Sequence, residues 1–286
     1  MQIRTLELRI TLLFSLIMAA DLTAQPAGEN LAITEARFIP MEKTIYYKLG
    51  DRTIPLKLIQ YGPVSDIFCF NMHDNETTSV NAARSVLELR GGTLLKIENN
   101  EQRLVKFRLR GVFYAFDPNR IFSKTGIEQT LEENGKVSPE AVVEVEKFAL
   151  RLLQLVPAGI ACIIALHNNT EGAWSVKSYL SGGDRQKDAR EVYTGSSQDE
   201  DDIVFTTDRL IFEKMAASGY NSILQDNEKA RKDGSLSVYF GEQNRPNVNI
   251  ETEHGHTGQY RQMLEKLLAF LMEKKQAGHG TAEVTQ

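Results

Sequence analysis

Four groups of polar residues follow apolar segments of this chain, and their side chains are of the types that bind metals or move protons. The groups are His73 with Glu76, the segment "FDPNRIF" at residues 116–122, His167 after "CIIAL", and Glu251 with Glu253 in "NIETEHGH". Open α/β sheets place their ligand sites at the carboxyl ends of their strands. The four groups are therefore candidates for a single site.

These residue types together supply the parts of a metal-dependent hydrolase. Two imidazoles and one carboxylate make a three-ligand zinc site with a position left open for water. Zinc lowers the pKa of a water molecule that it binds from about 16 to about 7. A further carboxylate accepts the proton and passes it to the leaving group, and a guanidinium can hold a carboxylate or polarise a carbonyl. The sequence offers a candidate for each part.

The order of these motifs adds a family resemblance. H-x-x-E, then D-x-N-R, then a strand-end His and a late strand Glu resemble the zinc carboxypeptidase superfamily. The compact spacing is most similar to its succinylglutamate desuccinylase/aspartoacylase branch, from about Asp66 to the closing helix. The resemblance implies one Zn²⁺ per chain, with His73, Glu76 and His167 as its ligands.

The resemblance also implies roles outside the metal ligands. Asn119 and Arg120 would bind a substrate carboxylate or an oxyanion, and Glu251 would be the general base. Motif alone does not separate Glu251 from Glu253, which shares its face if the strand continues. Asn168 and Glu253 are further candidates for contact with the substrate.

Three positions depart from the family pattern. Asp74 follows the histidine where the desuccinylase branch usually has Gly. Pro118 replaces the usual Leu of D-L-N-R, and Ile121 stands where the carboxypeptidases favour Asn. These departures bear on the substrate more than on the metal.

Other function classes find less support in the sequence. The 286 residues carry a net charge of −5, are 42% hydrophobic and 25% charged, and show no basic cluster, so nucleic acid is not an expected partner. Ser123 and Ser175 lack the G-x-S-x-G elbow of the α/β-hydrolases, which counts against a serine hydrolase. The acidic run at 199–202 lacks the Gly and Glu of an EF-hand loop, which favours a solvated loop over a calcium site.

The amino-terminal residues have a pattern typical of export. Arg4 and Arg9 precede an uncharged apolar run at 10–20, and Ala24 follows it, which predicts a signal peptide at 1–24 and a secreted or periplasmic protein. The apolar run is shorter than the roughly 20 residues that span a bilayer, so no transmembrane anchor is expected. Cys69 and Cys162 lie in apolar segments and are expected to be buried thiols, although spacing alone does not settle whether they pair.

The elements that must position the site are predicted from periodicity and capping. Residues 25–62 form an extension and a β-hairpin, and 63–277 form a three-layer α/β/α domain with a mixed, mostly parallel sheet and some antiparallel β. The strands include "DIFCFNM", "CIIAL", "SLSVYFGEQ" and "NVNIETE". A helix capped by Thr78 or Ser79 follows the first of these, and another begins at Ser138 and Pro139. Residues 181–202 are an exposed loop or lid, and 278–286 are a flexible tail.

The function expected from the sequence is hydrolysis of an amide bond by an exported zinc enzyme of carboxypeptidase or amidase type. Its substrate would be a small peptide or an N-acyl amino acid, and the compartment suggests a cell-wall peptide. Two alternatives stay open, which are an N-acyl amino acid deacylase and a non-catalytic peptide- or glycan-binding domain of the same fold. The sequence does not determine the oligomeric state.

Overall fold

A computed structural model describes residues 36–63, 65–170 and 174–280, with side chains as far as residue 274. The predicted signal peptide at 1–24 lies outside the described residues. So does most of the predicted tail, since the last helix ends at Gly280.

A mixed β-sheet organises the chain, and its strands alternate with helices. The strands are β1 (Pro40–Leu49), β2 (Arg52–Tyr61), β3 (Ile67–Asn71), β4 (Gly92–Ile97), β5 (Val105–Leu109), β6 (Val112–Phe116), β7 (Cys162–Leu166), β8 (Ala189–Tyr193), β9 (Ile203–Thr206), β10 (Asn221–Gln225) and β11 (Asn247–Glu251). The helices are α1 (Thr77–Arg90), α2 (Lys124–Glu133), α3 (Pro139–Gln154), α4 (Arg209–Ala217), α5 (Leu236–Glu242) and α6 (Thr257–Gly280). None of the helices in this described part has the length and apolar character needed to cross a membrane.

The order of the strands determines which residues meet. The nine-stranded sheet runs β1-β2-β4-β3-β7-β11-β9-β10-β8, and β5 pairs with β6 in a separate antiparallel ribbon. The four strands β4, β3, β7 and β11 are parallel neighbours, whereas β9 runs antiparallel to β11. The carboxyl ends of β3, β7 and β11 therefore lie side by side at one edge of the sheet.

Helices cover both faces of the sheet because its central strands are apolar on both sides. Phe68 and Phe70 of β3 face one core with α2, α3 and α5. Cys69 of the same strand faces the other core, which contains α1, α4 and α6. Cys69 and Cys162 are buried free thiols, as predicted. The predicted α/β class with helices on both faces of a mixed sheet is confirmed.

The amino-terminal hairpin is also confirmed, and its turn is fixed by a neighbouring element. Gly50 has a φ of +55°, and a Cβ at this position would clash with the carbonyl of Arg108. The backbone N–H of Asp51 donates to that carbonyl at 2.9 Å, and the Asp51 carboxylate accepts from the Arg108 N–H at 2.7 Å. The hairpin is thereby attached to the β5–β6 ribbon.

Two predicted elements differ in the structure. The segment "SLSVYFGEQ" forms helix α5 rather than a strand, because the Ser235 side chain accepts the Val238 N–H and caps the helix. Its aromatic and β-branched residues indicated a strand, but such propensity depends on the packing context. Residues 181–202 are not simply an exposed loop, because they include the edge strand β8, which pairs antiparallel with β10. This strand lies at the edge of the sheet and three of its five side chains are exposed. Its sequence therefore lacks the alternation of apolar and polar residues that would have predicted a strand.

Candidate metal centre

The three predicted metal ligands lie where neighbouring parallel strands end. His73 lies two residues after β3, His167 follows β7 directly, and Glu76 occupies the position that precedes α1. Glu251 is the last residue of β11, the next strand in the sheet. The order β3-β7-β11 therefore brings these four side chains to one edge.

The three ligand candidates are in direct contact. His73 Nδ1 lies 2.9 Å from Glu76 Oε1, and His167 Nδ1 lies 3.1 Å from Glu76 Oε2. One ligand atom from each residue lies within 4.8 Å of the others, and all three residues are buried. Two imidazole nitrogens and a carboxylate oxygen in this arrangement match the donors of a three-ligand zinc site.

Asp117 orients His73 from the opposite side of its ring. His73 Nε2 lies 2.7 Å from Asp117 Oδ1, and the Asp117 backbone N–H donates to Thr130 Oγ1 at 2.9 Å. A metal-bound histidine commonly donates its second ring N–H to a carboxylate, which fixes the tautomer and the ring orientation. With Nε2 bonded to Asp117, Nδ1 is the nitrogen that faces Glu76.

The charges at the centre account for its pKa shifts. Burial opposes a charge on His73, but the nearby Glu76 and Asp117 carboxylates outweigh it and raise the pKa of His73 to about 9. Burial likewise opposes ionisation of Glu76, yet His73 and His167 hold the pKa of its carboxyl well below the usual range. His73 is therefore protonated at neutral pH, and a cation is already stabilised at this position.

The residues present fit a divalent metal ion. His73 Nδ1 and Glu76 Oε1 are both acceptors once His73 Nε2 donates to Asp117, so a proton or a metal ion has to lie between them. In addition, the buried Nε2 of His167 has no hydrogen-bond partner among the described residues. If both imidazoles are neutral, each ring therefore has one nitrogen whose lone pair receives no hydrogen bond from the protein and is available to a metal ion.

Arg103 belongs to this centre, and the sequence analysis did not identify it. Its Nη1 donates to Glu76 Oε1 and its Nη2 to Asp117 Oδ2, both at 3.0 Å, while 46% of the side chain stays exposed. The residue lies in the loop that leaves β4, which ends at the same edge as β3. No sequence motif identifies Arg103 as a site residue. Considering the charged residues in every loop that follows a parallel strand would have included it among the candidates.

Glu251 has the burial and the surroundings expected of a residue that transfers protons. It is 5% exposed, and this burial raises the pKa of its carboxyl to about 7. His167, Glu76 and Arg103 are the charged groups that act on it most strongly. A carboxyl with a pKa near the working pH can both accept and release a proton.

Asn119 and Arg120 line a cleft close to the centre, since the charge of Arg120 helps to lower the pKa of the Asp117 carboxyl. They belong to the 3-10 turn Pro118–Arg120, directly after Asp117. Arg120, 21% exposed, lies 3.7 Å from Asp233, whereas the Asn119 Oδ1 accepts the Leu236 N–H at 3.0 Å. The cleft is also lined by Trp174, Tyr179, Arg185, Gln225 and Asn249.

Two predicted substrate residues contact other parts of the chain. Asn168 accepts the Ser79 N–H at 3.1 Å and donates to the Thr252 carbonyl at 3.5 Å, so its amide is used at both ends. It satisfies the first turn of α1, which begins at Thr77 without a side-chain cap, so the predicted cap at Thr78 or Ser79 is wrong. Glu253 lies two residues beyond the end of β11, in an isolated parallel bridge with Asn169, and its carboxylate lies with those of Asp199 and Asp201 rather than with the three metal-ligand candidates.

Asp117→Asn is expected to weaken metal binding by about 10- to 100-fold without unfolding the chain. The amide has the same shape, but it accepts less strongly from His73 Nε2 and loses the ion pair with Arg103. Competition of zinc with a chelating dye measures the affinity. Asp184→Asn, at an exposed position, is the matched control. Equal affinities for the two variants would contradict the orienting role of Asp117.

No protein-family model and no curated protein matches the chain. Among solved structures, it is similar to a candidate metallopeptidase from Shewanella baltica OS155, with 13% identity and a TM-score of 0.40 over 81% of this chain and 84% of that one. It is also similar to an aspartoacylase family protein from Mesorhizobium loti MAFF303099, with 13% identity and a TM-score of 0.43 over 80% and 66%.

A further similar structure is a candidate metallopeptidase from Shewanella amazonensis SB2B, with 11% identity and a TM-score of 0.35 over 80% of this chain and 85% of that one. A likeness at this level decides neither the activity nor the substrate of this chain, which depend on its own residues.

Proposed function

We propose that this protein is a zinc-dependent hydrolase that cleaves an amide bond in a substrate with a free carboxylate. The observation that carries the proposal is the meeting of His73, Glu76 and His167 within 4.8 Å at one sheet edge, beside a buried Glu251. A metal ligand set and a carboxyl with a pKa of about 7 are the two parts that hydrolysis at neutral pH requires. This chain has a candidate for each part, which supports the proposal.

The metal ligands would be His73, Glu76 and His167, with Asp117 holding the ring of His73. A zinc ion bound there would polarise the scissile carbonyl and activate the attacking water. Glu251 accepts the proton that this water loses, and the same carboxyl then donates it to the leaving nitrogen. Burial suits Glu251 to both steps, because it brings the pKa of the carboxyl to about 7.

Two arginines, Arg103 and Arg120, are proposed to bind different negative charges of the substrate. Arg103 lies against the ligand set, so its exposed edge is placed to stabilise negative charge that develops on the substrate carbonyl oxygen. Arg120 lines the adjoining cleft, where a guanidinium can hold a carboxylate through two hydrogen bonds. Gln225 Oε1 and Asn249 Oδ1 are buried acceptors without a partner in the described residues, which favours a substrate that also donates hydrogen bonds.

These features support small peptides and N-acyl amino acids as substrates, since both have a free carboxylate and amide N–H donors. Export and a cell-wall peptide substrate are included in the proposal and rest on the sequence pattern of residues 1–24 alone. A non-catalytic binding domain is less favoured, because a candidate for every catalytic role is retained.

Hydrolysis of matched substrate pairs tests the proposal. The full chain with one equivalent of zinc is expected to cleave dipeptides and N-acyl amino acids about 10- to 100-fold faster than their C-terminal amides. This ratio corresponds to the usual contribution of hydrogen bonds to a charged group, which the amides lack. Arg120→Met should remove this preference, mainly through KM. Arg110→Met, with an 82% exposed side chain, is the control. Absence of hydrolysis throughout the panel would favour the binding domain.

A further inference from the structure

The loop that carries Arg103 has a backbone conformation that depends on support from outside the loop. It covers residues 98–104, between β4 and β5. Asn100 and Glu101 have φ values of +53° and +55°, in the left-handed region that residues other than glycine rarely adopt. Such a conformation persists where surrounding contacts fix it. The contacts that hold this loop therefore decide where the Arg103 side chain lies.

A buried carboxylate, that of Asp74, fixes the loop at two backbone positions. Its Oδ2 accepts the backbone N–H groups of Asn99 at 2.6 Å and of Glu101 at 2.8 Å, while its Oδ1 accepts from the Lys96 ammonium. Asp74 is 3% exposed, so these hydrogen bonds are shielded from competition with water. Hydrogen bonds to an ionised acceptor are about twice as strong as neutral ones. The carboxylate thus attaches the loop to the segment that follows β3.

Asn99 extends this attachment to both sides of Arg103. Its backbone N–H donates to Asp74, and its side-chain Nδ2 donates to the carbonyls of Gln102 and Leu104, both at 2.9 Å. These two residues flank Arg103 in the chain. A side chain whose neighbours on both sides are held in place retains only its own rotamers. The path from the Asp74 carboxylate to Arg103 therefore runs through a single residue, Asn99.

The segment that holds the loop also carries two of the metal-ligand candidates. Asp74 lies directly after His73 and two residues before Glu76. Arg103 in turn donates to Glu76 Oε1 and to Asp117 Oδ2, both at 3.0 Å. The loop is therefore fixed relative to the ligand candidates themselves, and the guanidinium meets them from a defined direction.

We propose that Asp74 is a positioning residue, which holds the loop 98–104 so that the Arg103 guanidinium stays against the metal centre. The catalytic consequence rests on the proposed hydrolase, in which Arg103 stabilises the negative charge that develops on the substrate carbonyl oxygen. Asp74 stands where the desuccinylase branch usually has Gly, and glycine has no side chain to make these contacts. This departure from the family pattern thereby acquires a role in the site.

Asp74→Ala is expected to release the loop, and two measurements on the full chain with one equivalent of zinc detect this release without a substrate. Amide hydrogen exchange of residues 98–104 should become about 10- to 100-fold faster, which corresponds to the loss of hydrogen bonds to a charged group. Phenylglyoxal reacts with the two Nη atoms of an arginine, and both of these atoms donate hydrogen bonds in Arg103. Its modification of Arg103 should become about tenfold faster, while that of Arg110, with an 82% exposed side chain, stays unchanged.

Asp184→Ala, at an exposed aspartate, is the matched control and should behave as the wild type in both measurements. Peptides from β3 and β7 should keep their protection from exchange in every variant, which checks the fold. If Asp74→Ala does not fold, Asp74→Asn replaces it, because the amide keeps an acceptor for the loop but binds it more weakly, and a smaller acceleration is then expected. Unchanged exchange of the loop, or unchanged reactivity of Arg103, in a folded variant would overturn the proposal.

A double-mutant cycle with Arg103→Met tests the catalytic consequence at saturating zinc. Arg103→Met should lower kcat by about 10²- to 10³-fold, as the removal of an oxyanion donor does, and Asp74→Ala by about 10- to 100-fold, with KM little changed. The double variant should be no slower than Arg103→Met, because Asp74 acts through Arg103. Effects that multiply would give Asp74 a role independent of Arg103 and overturn the proposal. Absence of hydrolysis by the wild type would contradict the hydrolase, and the exchange and modification results would still decide whether Asp74 positions Arg103.

Discussion

His73→Ala is expected to abolish stoichiometric metal binding, taking the zinc content from about one ion per chain to background. The substitution removes one of three ligands and leaves the buried Glu76 carboxylate with His167 and Arg103 as its charged partners. Elemental mass spectrometry of zinc-loaded, dialysed protein measures the content, and circular dichroism checks the fold. His254→Ala, at an exposed histidine, is the matched control and should keep its zinc.

Zinc retained by His73→Ala would show that the metal binds elsewhere, and loss of zinc in both variants would show that the loss is not specific to His73. A wild-type chain that stays metal-free after zinc is supplied would contradict the catalytic proposal as a whole. The non-catalytic binding domain would then be the leading interpretation.

The same centre gives metal binding a defined pH dependence. In the metal-free protein the pKa of His73 is raised to about 9, so the ring carries a proton at neutral pH that zinc has to displace. Zinc affinity should therefore rise with pH, about tenfold per unit below 9 if one proton leaves, and should become constant above that value. Calorimetry in two buffers of different ionisation enthalpy should report about one proton released at pH 7 by the wild type.

Glu251→Gln is expected to lower kcat/KM by about 10²- to 10⁴-fold while zinc content stays at the wild-type level. The amide has the same shape but cannot accept the proton of the attacking water or return it to the leaving nitrogen. Steady-state hydrolysis of the preferred N-acyl amino acid or dipeptide, beside a zinc measurement on the same sample, tests this expectation.

Glu146→Gln is a suitable control, because Glu146 is exposed on α3, a helix that contains none of the ligand candidates. It should leave both hydrolysis and zinc content unchanged. If Glu251→Gln retains full activity, Glu251 is not the base, and the alternative that the sequence left open at Glu253 gains support. Loss of zinc together with activity would instead assign Glu251 to the metal ligands.

The sequence by itself predicted much of this centre, because the relevant signals are local. A histidine at the end of an apolar segment is visible in a few residues, as at His73 and His167. Open α/β sheets generally place their ligand sites at the carboxyl ends of the strands. The expectation that these residues meet therefore followed from the predicted fold class. The helix that begins at Pro139 was predicted from its cap and apolar spacing in the same way.

Only the tertiary structure placed the residues whose signals are not local. Arg103 contacts Glu76 and Asp117 across 27 and 14 residues of sequence. Asn168 contacts Ser79 across 89 residues and so serves a helix rather than the cleft. Such contacts depend on the order of strands in the sheet, which periodicity and capping do not encode.

The limit of local reasoning is clearest at the end of β11. Alternation in a strand predicts one face for Glu251 and Glu253, but it does not say which distant side chains each of them meets. Glu253 instead lies with Asp199 and Asp201, more than 50 residues earlier in the chain. The sequence determined which chemical groups this protein has and in what order. The packing of distant segments decided which of them share a site, because electrostatic interactions and hydrogen bonds depend on distance in space.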